Sequence, residues 1–323
     1  MDDNLTDHPP SAEHATCRLC GGSRTRLLFR AANVHGRHIL GDEMFEVREC
    51  AGCGVVYVPA EINADYYRRY YPENYYEAPP GNPLLRRLLK RLADCTFRRR
   101  LRQILRHQPG GRRLLEVGCG QGGFLSQLPA SFEKHGVEVN AAACARIREH
   151  HPDIQIFCGP LEKAPWLDTG RPFDVIVLWH VFEHLSDPHV FLRAVTQVLA
   201  RDGVLILEIP NRRSLGFRWG RGRWFHLDSP RHLFHYARQT MERLLAQHQL
   251  RVVEFGATPM DFFHDLAVSV YGRRKTGRAL ANALLAVGVI PPLLLLRWLA
   301  ALWFPSIAES NSYVVRRLPS DAR

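Results

Sequence analysis

Residues 113–123, RLLEVGCGQGG, constrain the fold more than any other stretch of the chain. Arg113 to Val117 form a short apolar run of strand length, which empties into a turn holding Gly118, Gly120, Gly122 and Gly123. Phe124, Leu125 and Leu128 follow at helical spacing, so the stretch predicts strand, glycine turn and helix N-terminus in succession. Such a corner binds anionic and polar ligands, because the first N–H groups of a helix have no partner within it. Glu138, twenty residues beyond Gly118, closes a predicted strand over Gly136 to Val139 and is placed to accept from both hydroxyls of a ribose. The spacing Gly118-x-Gly120-x-x-Gly123 plus a later acid also fits a dinucleotide, so the motif alone leaves the ligand open.

The alternation continues downstream. FDVIVLW over Phe173 to Trp179 predicts a strand, Val190 to Leu199 a helix, and Gly203 to Ile209 a strand ending at Pro210-Asn211. Arg251 to Thr258 and Ser312 to Arg317 predict two last strands. Strands alternating with helices in this way build an open, doubly wound α/β sheet. With 323 residues and 46% hydrophobic content, the chain can bury one large core or two unequal ones, which excludes a disordered or collagen-like chain and a small disulfide scaffold.

Ahead of this region stand Cys17-x2-Cys20 and Cys50-x2-Cys53, with glycines beside the sulfurs. Four thiolates satisfy tetrahedral zinc and leave no open position, so these cysteines predict a structural zinc ribbon. Cys95, Cys119, Cys144 and Cys158 have no such spacing and read as small buried hydrophobes. DYYRRYYPENYY, residues 65–76, follows the ribbon; its tyrosines either pack the ribbon onto the next domain, the favoured reading, or face a substrate. PPGNP at 79–83 marks a boundary. Leu84 to His107 repeats leucine and isoleucine at three- and four-residue steps and predicts a helix. Residues 84–113 carry eleven Lys or Arg against Asp94 alone, almost the whole net charge of +11. Such a face tracks phosphates, lies on anionic lipid, or is simply solvated.

Taken in order, ExGxGxG at Glu116 to Gly122, an acid ending the next strand, FDVI followed by Glu183-His184-Leu185, and DGVLILEIPN resemble the class I S-adenosylmethionine-dependent methyltransferases over roughly residues 110–260. The front ribbon with YPENYY, and RWFHLDSPRHLFHY, are similar to a bacterial subgroup with an N-terminal zinc segment that acts on sugars and other small metabolites. The resemblance implies a Rossmann-like seven-stranded doubly wound sheet with a pairing of the last two strands at its edge. It further implies that Glu116 and the loop Gly118, Cys119, Gly120 and Gly122 hold the methionine and sugar parts of S-adenosylmethionine, that Glu138 and Val139 meet the ribose, and that Leu161 and Trp179 border the remaining cofactor. Pro160 stands where many relatives have Asp, which removes the usual partner of the adenine amino group.

Ligands of open sheets sit beyond the carboxyl ends of the strands, where His180, Glu183 and His184 fall. A sugar hydroxyl keeps its proton at neutral pH, so its methylation calls for a base, and His180 is the first candidate. Glu183 and His184 read as structural support for the turn, and with His180 they also form a candidate divalent-cation set, similar to that of ubiquinone-pathway O-methyltransferases. The Asn-Pro-Pro-Tyr tetrad of base amine methylation is absent, which disfavours DNA adenine as acceptor. Residues 212–235 predict a lid in which Trp224, His226, Arg231 and His232 contact substrate, the alternative being a packed insertion with solvated arginines.

The chain is thus read as a tail (1–16), a zinc ribbon (17–60), an aromatic linker (61–83) and a methyltransferase domain (84–323) with a helical insertion over 265–305. Within that insertion, Pro291 and Pro292 split the apolar run 279–304 into halves of roughly 18 Å as helix, too short for a ~30 Å hydrocarbon core. A shallow entry into one leaflet, a buried hairpin and a dimer contact stay open. The expected location is cytoplasmic, with a peripheral place on the inner face of the membrane. The expected acceptor is a sugar, lipid-linked glycan or other small metabolite, phosphorylated or lipid-linked forms included. RNA methylation and a non-catalytic zinc-containing interaction protein are the alternatives.

Overall fold

The computed structural model describes residues 16–33, 43–72, 76, 83–258, 304 and 307–319. At the front, β1 (Thr25–Ala32), β2 (Met44–Cys50) and β3 (Val56–Tyr57) form an antiparallel ribbon, followed by α1 (Ala64–Tyr70) and the long α2 (Pro83–His107). The body then runs β4 (Arg113–Val117), β5 (Glu133–Glu138), α3 (Ala141–His150), β6 (Ile154–Cys158), β7 (Phe173–Trp179), α4 (Pro188–Val198) and β8 (Leu199–Pro210). A short α5 (Leu215–Gly220), β9 (Phe234–His235), α6 (Arg238–Gln247), β10 (Leu250–Ala257) and β11 (Ser310–Arg317) complete it.

The seven-stranded sheet has the order β10-β11-β8-β7-β4-β5-β6. β4 to β8 are parallel, and β11 runs antiparallel between β8 and β10. The chain leaves β4 towards β5 and β6, then crosses to β7 and β8, so the order reverses at β4 and opens a crevice at its carboxyl end. Both faces are covered, which is why β4 is buried at every residue. In β7, Ile176 and Leu178 join the core under α4 with Phe191, Leu192 and Val195, whereas Val175 and Val177 join the opposite core with Ile104 of α2 and Ile147 of α3. That division is the two-residue period of a strand packed on both sides. Asp187 caps α4 through the amides of His189 and Val190, and Pro188 takes the first helical position, where no N–H is required.

Three elements differ from the sequence reading. No α-helix follows the glycine turn: Leu125–Gln127 make a single short 3₁₀ turn. Gly118, Gly120 and Gly122 all sit at positive φ, and Pro129 cannot continue a helix, so turn amides replace a helix terminus. The linker holds a helix, α1, because the Asn63 side chain accepts from the Tyr66 amide and caps it. Finally, the ribbon sheet has four strands, β1-β2-β3-β9, the fourth contributed from beyond β8. The expected tail, Thr16 apart, and the apolar insertion, Phe304 apart, lie outside the described residues. Among those described, no helix is long and apolar enough to cross a membrane.

Candidate functional site

Glu116, near the end of β4, is 4% exposed, and its Oε2 has no hydrogen-bond partner among the described residues. Burial raises its carboxyl to about 8, against the nearby Arg100 charge and with Glu138 adding to the rise. Glu138 ends β5. Its Oε2 accepts from the Gly120 amide at 2.8 Å and the Tyr76 hydroxyl at 3.2 Å, and its Oε1 from the Asn140 amide at 2.8 Å. At Gly118 (φ +69°) a Cβ would fall 2.5 Å from Val181 Cγ2, so only glycine fits both the backbone and the space. Cys119 is buried, and burial pushes its thiol well above the usual range, which makes it inert. Leu161 is in the core, in a 3₁₀ turn after Pro160, whereas Val139 is 61% exposed beyond the end of β5. Trp179 ends β7 with the Arg100 guanidinium 4.4 Å over its ring and Phe124 against it at 5.3 Å.

His180 follows directly with a left-handed φ of 57°, unusual for a residue other than glycine, held by its amide donating to the Glu208 carbonyl at 2.8 Å. Its Nδ1 lies 3.6 Å from Glu183 Oε1, and its ring is parallel to that of His226 at 6.3 Å. Glu183 is 1% exposed. Burial would raise its carboxyl, but the His180 contact, together with His232 and His184 in their protonated forms, outweighs burial and lowers it to about 2. Burial lowers His184, and His232 still further, so both rings are neutral at pH 7.

In the segment after β8, Arg212 and Arg231 are paired with acids, whereas Arg213, Arg218, Arg221 and Arg223 are exposed. Trp224 is fully buried, donates its indole N–H to Glu309 at 2.7 Å and packs against Phe217, His226 and His235. It therefore offers no face at the mouth, contrary to the sequence expectation, because Glu309 draws the indole inward. Arg231 is held by Asp228 at 2.6 Å, and Arg212 by Glu49. His226 and His232 are 2% and 7% exposed, next to His180 and Glu183.

Residues 84–255 match the family described as methyltransferase domain, more than half of the chain. The chain belongs to this family. A probable S-adenosylmethionine-dependent methyltransferase of Mycolicibacterium smegmatis is 34% identical over 135 residues, 41% of this chain and 48% of the relative. A ubiquinone biosynthesis O-methyltransferase of Ruegeria pomeroyi is 31% identical over 147 residues, 40% of this chain and 59% of that one. The chain spans about half the length of these relatives. Among solved structures, an O-methyltransferase of a Brevibacillus brevis polyketide synthase in complex with S-adenosylhomocysteine is 16% identical, with a TM-score of 0.46, covering 84% of this chain and 82% of that one.

The residues of this site fit S-adenosylmethionine. The unpartnered Glu116 oxygen suits an ammonium, and Glu138 already receives a hydroxyl, that of Tyr76. Sequence reading missed several contributors. Tyr76 lies over Gly120, 3.3 Å from where a Cβ would stand, and Tyr71 bonds His184 Nδ1 at 2.8 Å. Arg100 joins Trp179 to Glu208, an acid inside an apolar strand, and that acid was the available signal. At the ribbon, Sγ atoms of Cys17 and Cys53 lie 3.7 Å apart and those of Cys20 and Cys50 3.5 Å apart. Four sulfurs at ~2.3 Å from one ion stand about 3.8 Å apart, so the set fits zinc. The Cys53 contact pulls the Cys17 thiol down to about 5, while Cys53, sharing that bond, is pushed up.

Proposed function

We propose that the protein transfers a methyl group from S-adenosylmethionine to a hydroxyl of a small metabolite, a sugar or a lipid-linked glycan, with His180 as the base. When bound, the cofactor supplies an electrophilic methyl group. The pairing of His180 with the buried, ionised Glu183 carries this reading. A carboxylate facing Nδ1 favours a hydrogen there and leaves Nε2 to take the hydroxyl proton as the new O–C bond forms. The left-handed backbone costs on the order of 1–3 kcal/mol, and strain of this kind collects where a side chain must be held in one place. Glu116 and Glu138 hold and orient the cofactor.

The lipid-linked form of the acceptor is supported by α2, whose Arg87, Lys90, Arg91, Arg98, Arg102 and Arg106 are exposed on one basic element. The four ribbon cysteines hold a structural zinc, supported by their sulfur spacing. His180→Ala tests the central claim. Turnover against a panel of sugar and phenolic acceptors is expected to fall by about 10²–10⁴-fold, while calorimetry gives unchanged S-adenosylhomocysteine affinity. Equal turnover in the variant removes His180 from the chemistry, and a wild-type protein that binds no S-adenosylmethionine removes the enzyme reading.

A further inference from the structure

Beside His180, three side chains converge on one point. Glu183, His184 and His232 each offer one ligand atom, and these atoms lie within 4.8 Å of one another. The set differs from the one read off the sequence: His232 arrives from the loop after β8.

The surroundings fix which atoms face inward. His232 Nδ1 is 2.7 Å from the His226 carbonyl oxygen. A carbonyl only accepts, so Nδ1 carries the hydrogen and Nε2 is the ring atom left to serve as a ligand. That Nε2 is 3.9 Å from Glu183 Oε1 and 3.8 Å from Asp228 Oδ2. His184 Nδ1 is likewise anchored, 3.0 Å from the Arg231 carbonyl and 2.8 Å from the Tyr71 hydroxyl. An imidazole whose Nδ1–H is tied to backbone is oriented as metal-bound histidines are. Neither oxygen of the buried Glu183 carboxylate has a hydrogen-bond partner among the described residues. Acceptors gathered this closely call for a cation or a donor among them, and His180 Nδ1 stands off at 3.6 Å from Oε1. The Arg231 guanidinium does not relieve them, being drawn onto Asp228 Oδ1.

We propose that Glu183, His184 and His232 bind a divalent transition-metal cation. Two imidazole nitrogens and one carboxylate suit zinc, manganese or iron better than magnesium or calcium, and three protein ligands leave a position for water or an acceptor oxygen. Glu183 Oε1 lies 3.6 Å from His180 Nδ1 and 3.9 Å from His232 Nε2, so the cation and His180 share this carboxylate. The site stands independently of the acceptor proposed above, because it is read without turnover.

The full-length protein, stripped with a chelator and titrated with zinc, is expected to take up one equivalent beyond that held by the four cysteines. Glu183→Gln and His232→Gln are expected to lose that equivalent, each weakening it by more than the roughly 10–100-fold that outer-shell changes cost. Titration of the wild type with cobalt(II) gives a second reading that needs no variant. The four-thiolate site shows intense sulfur-to-metal charge transfer, and the new site adds only weak ligand-field bands. Uptake limited to the thiolate equivalent, or a second equivalent retained in both variants, overturns the proposal. An extra equivalent in a protein without methyl transfer leaves the metal site standing and overturns the proposed function alone.

Discussion

Glu116 shows how a single residue links pocket and ligand. With its carboxyl raised to about 8, the ligand-free protein holds that proton at pH 7. A folded value above the unfolded one means that this group's contribution to stability is complete below about 4.5 and is lost as pH rises towards about 8. An ammonium placed against Glu116 reverses the preference and expels the proton. Binding of S-adenosylhomocysteine at pH 7 is therefore expected to release about one proton, seen in calorimetry as a heat that changes with the buffer's ionisation enthalpy. Glu116→Gln abolishes the buffer dependence; a wild type without it shows that this carboxyl does not meet the ammonium. The places of Glu116 and Glu138 at strand ends were legible in the sequence, Glu138 from its spacing and Glu116 from the resemblance. Tyr71 and Tyr76 were not. Tyrosines in DYYRRYYPENYY are chemically alike, and only the packing of α1 beside the loop that carries Arg231 selects Tyr71 for His184.

At the scale of elements, α2 was legible as a helix from its leucine spacing, but the role of its charges was not. Its basic side chains are not all solvated: Arg99 and Arg100 reach Glu208, whose side chain is 0% exposed, at 2.7 and 2.6 Å. Arg100 then lies on Trp179, so the helix is fastened to the sheet next to His180. Breaking a buried pair by removing its cations leaves a charge without compensation, a loss of about 3–5 kcal/mol. The double variant Arg99→Met with Arg100→Met is expected to lose this amount in urea unfolding. Arg100→Met alone loses less, because Arg99 still holds the other Glu208 oxygen. Adding Glu208→Gln to the double variant should recover part of the loss, and no recovery would mean that packing on Trp179, not charge, dominates. The helix expected after the glycine turn illustrates the opposite failure: apolar spacing at Phe124, Leu125 and Leu128 was real, but three positive-φ glycines and Pro129 overrode it.

At the scale of the whole molecule, the cysteine spacing marked out the ribbon, but its join to the larger sheet left no trace in the pattern. β9 is two residues long, too short for any periodicity, and only its pairing with β3 identifies it. That pairing creates a path of backbone bonds. Val58 donates to the Leu233 carbonyl at 3.0 Å, and Leu233 donates to the Glu183 carbonyl at 2.9 Å. His189 Nε2 adds a contact to the Leu19 carbonyl at 2.7 Å, and Arg243 one to that of Cys53 at 2.6 Å. If zinc orders the cysteine turns, its loss loosens β3 and, through Leu233, the loop carrying His232. Cys50→Ser, or removal of the ribbon zinc, is expected to speed hydrogen exchange at Val58, Leu233, Phe234 and His235 by at least about tenfold, a loss of ~1.4 kcal/mol in local opening. Amides of β4 and β5 around Glu116 and Glu138 should keep their protection, because no ribbon strand pairs with them. Exchange that rises in the ribbon and stops at β3 would make the ribbon an attached module; exchange that carries through to Leu233 makes it a strut of the candidate site.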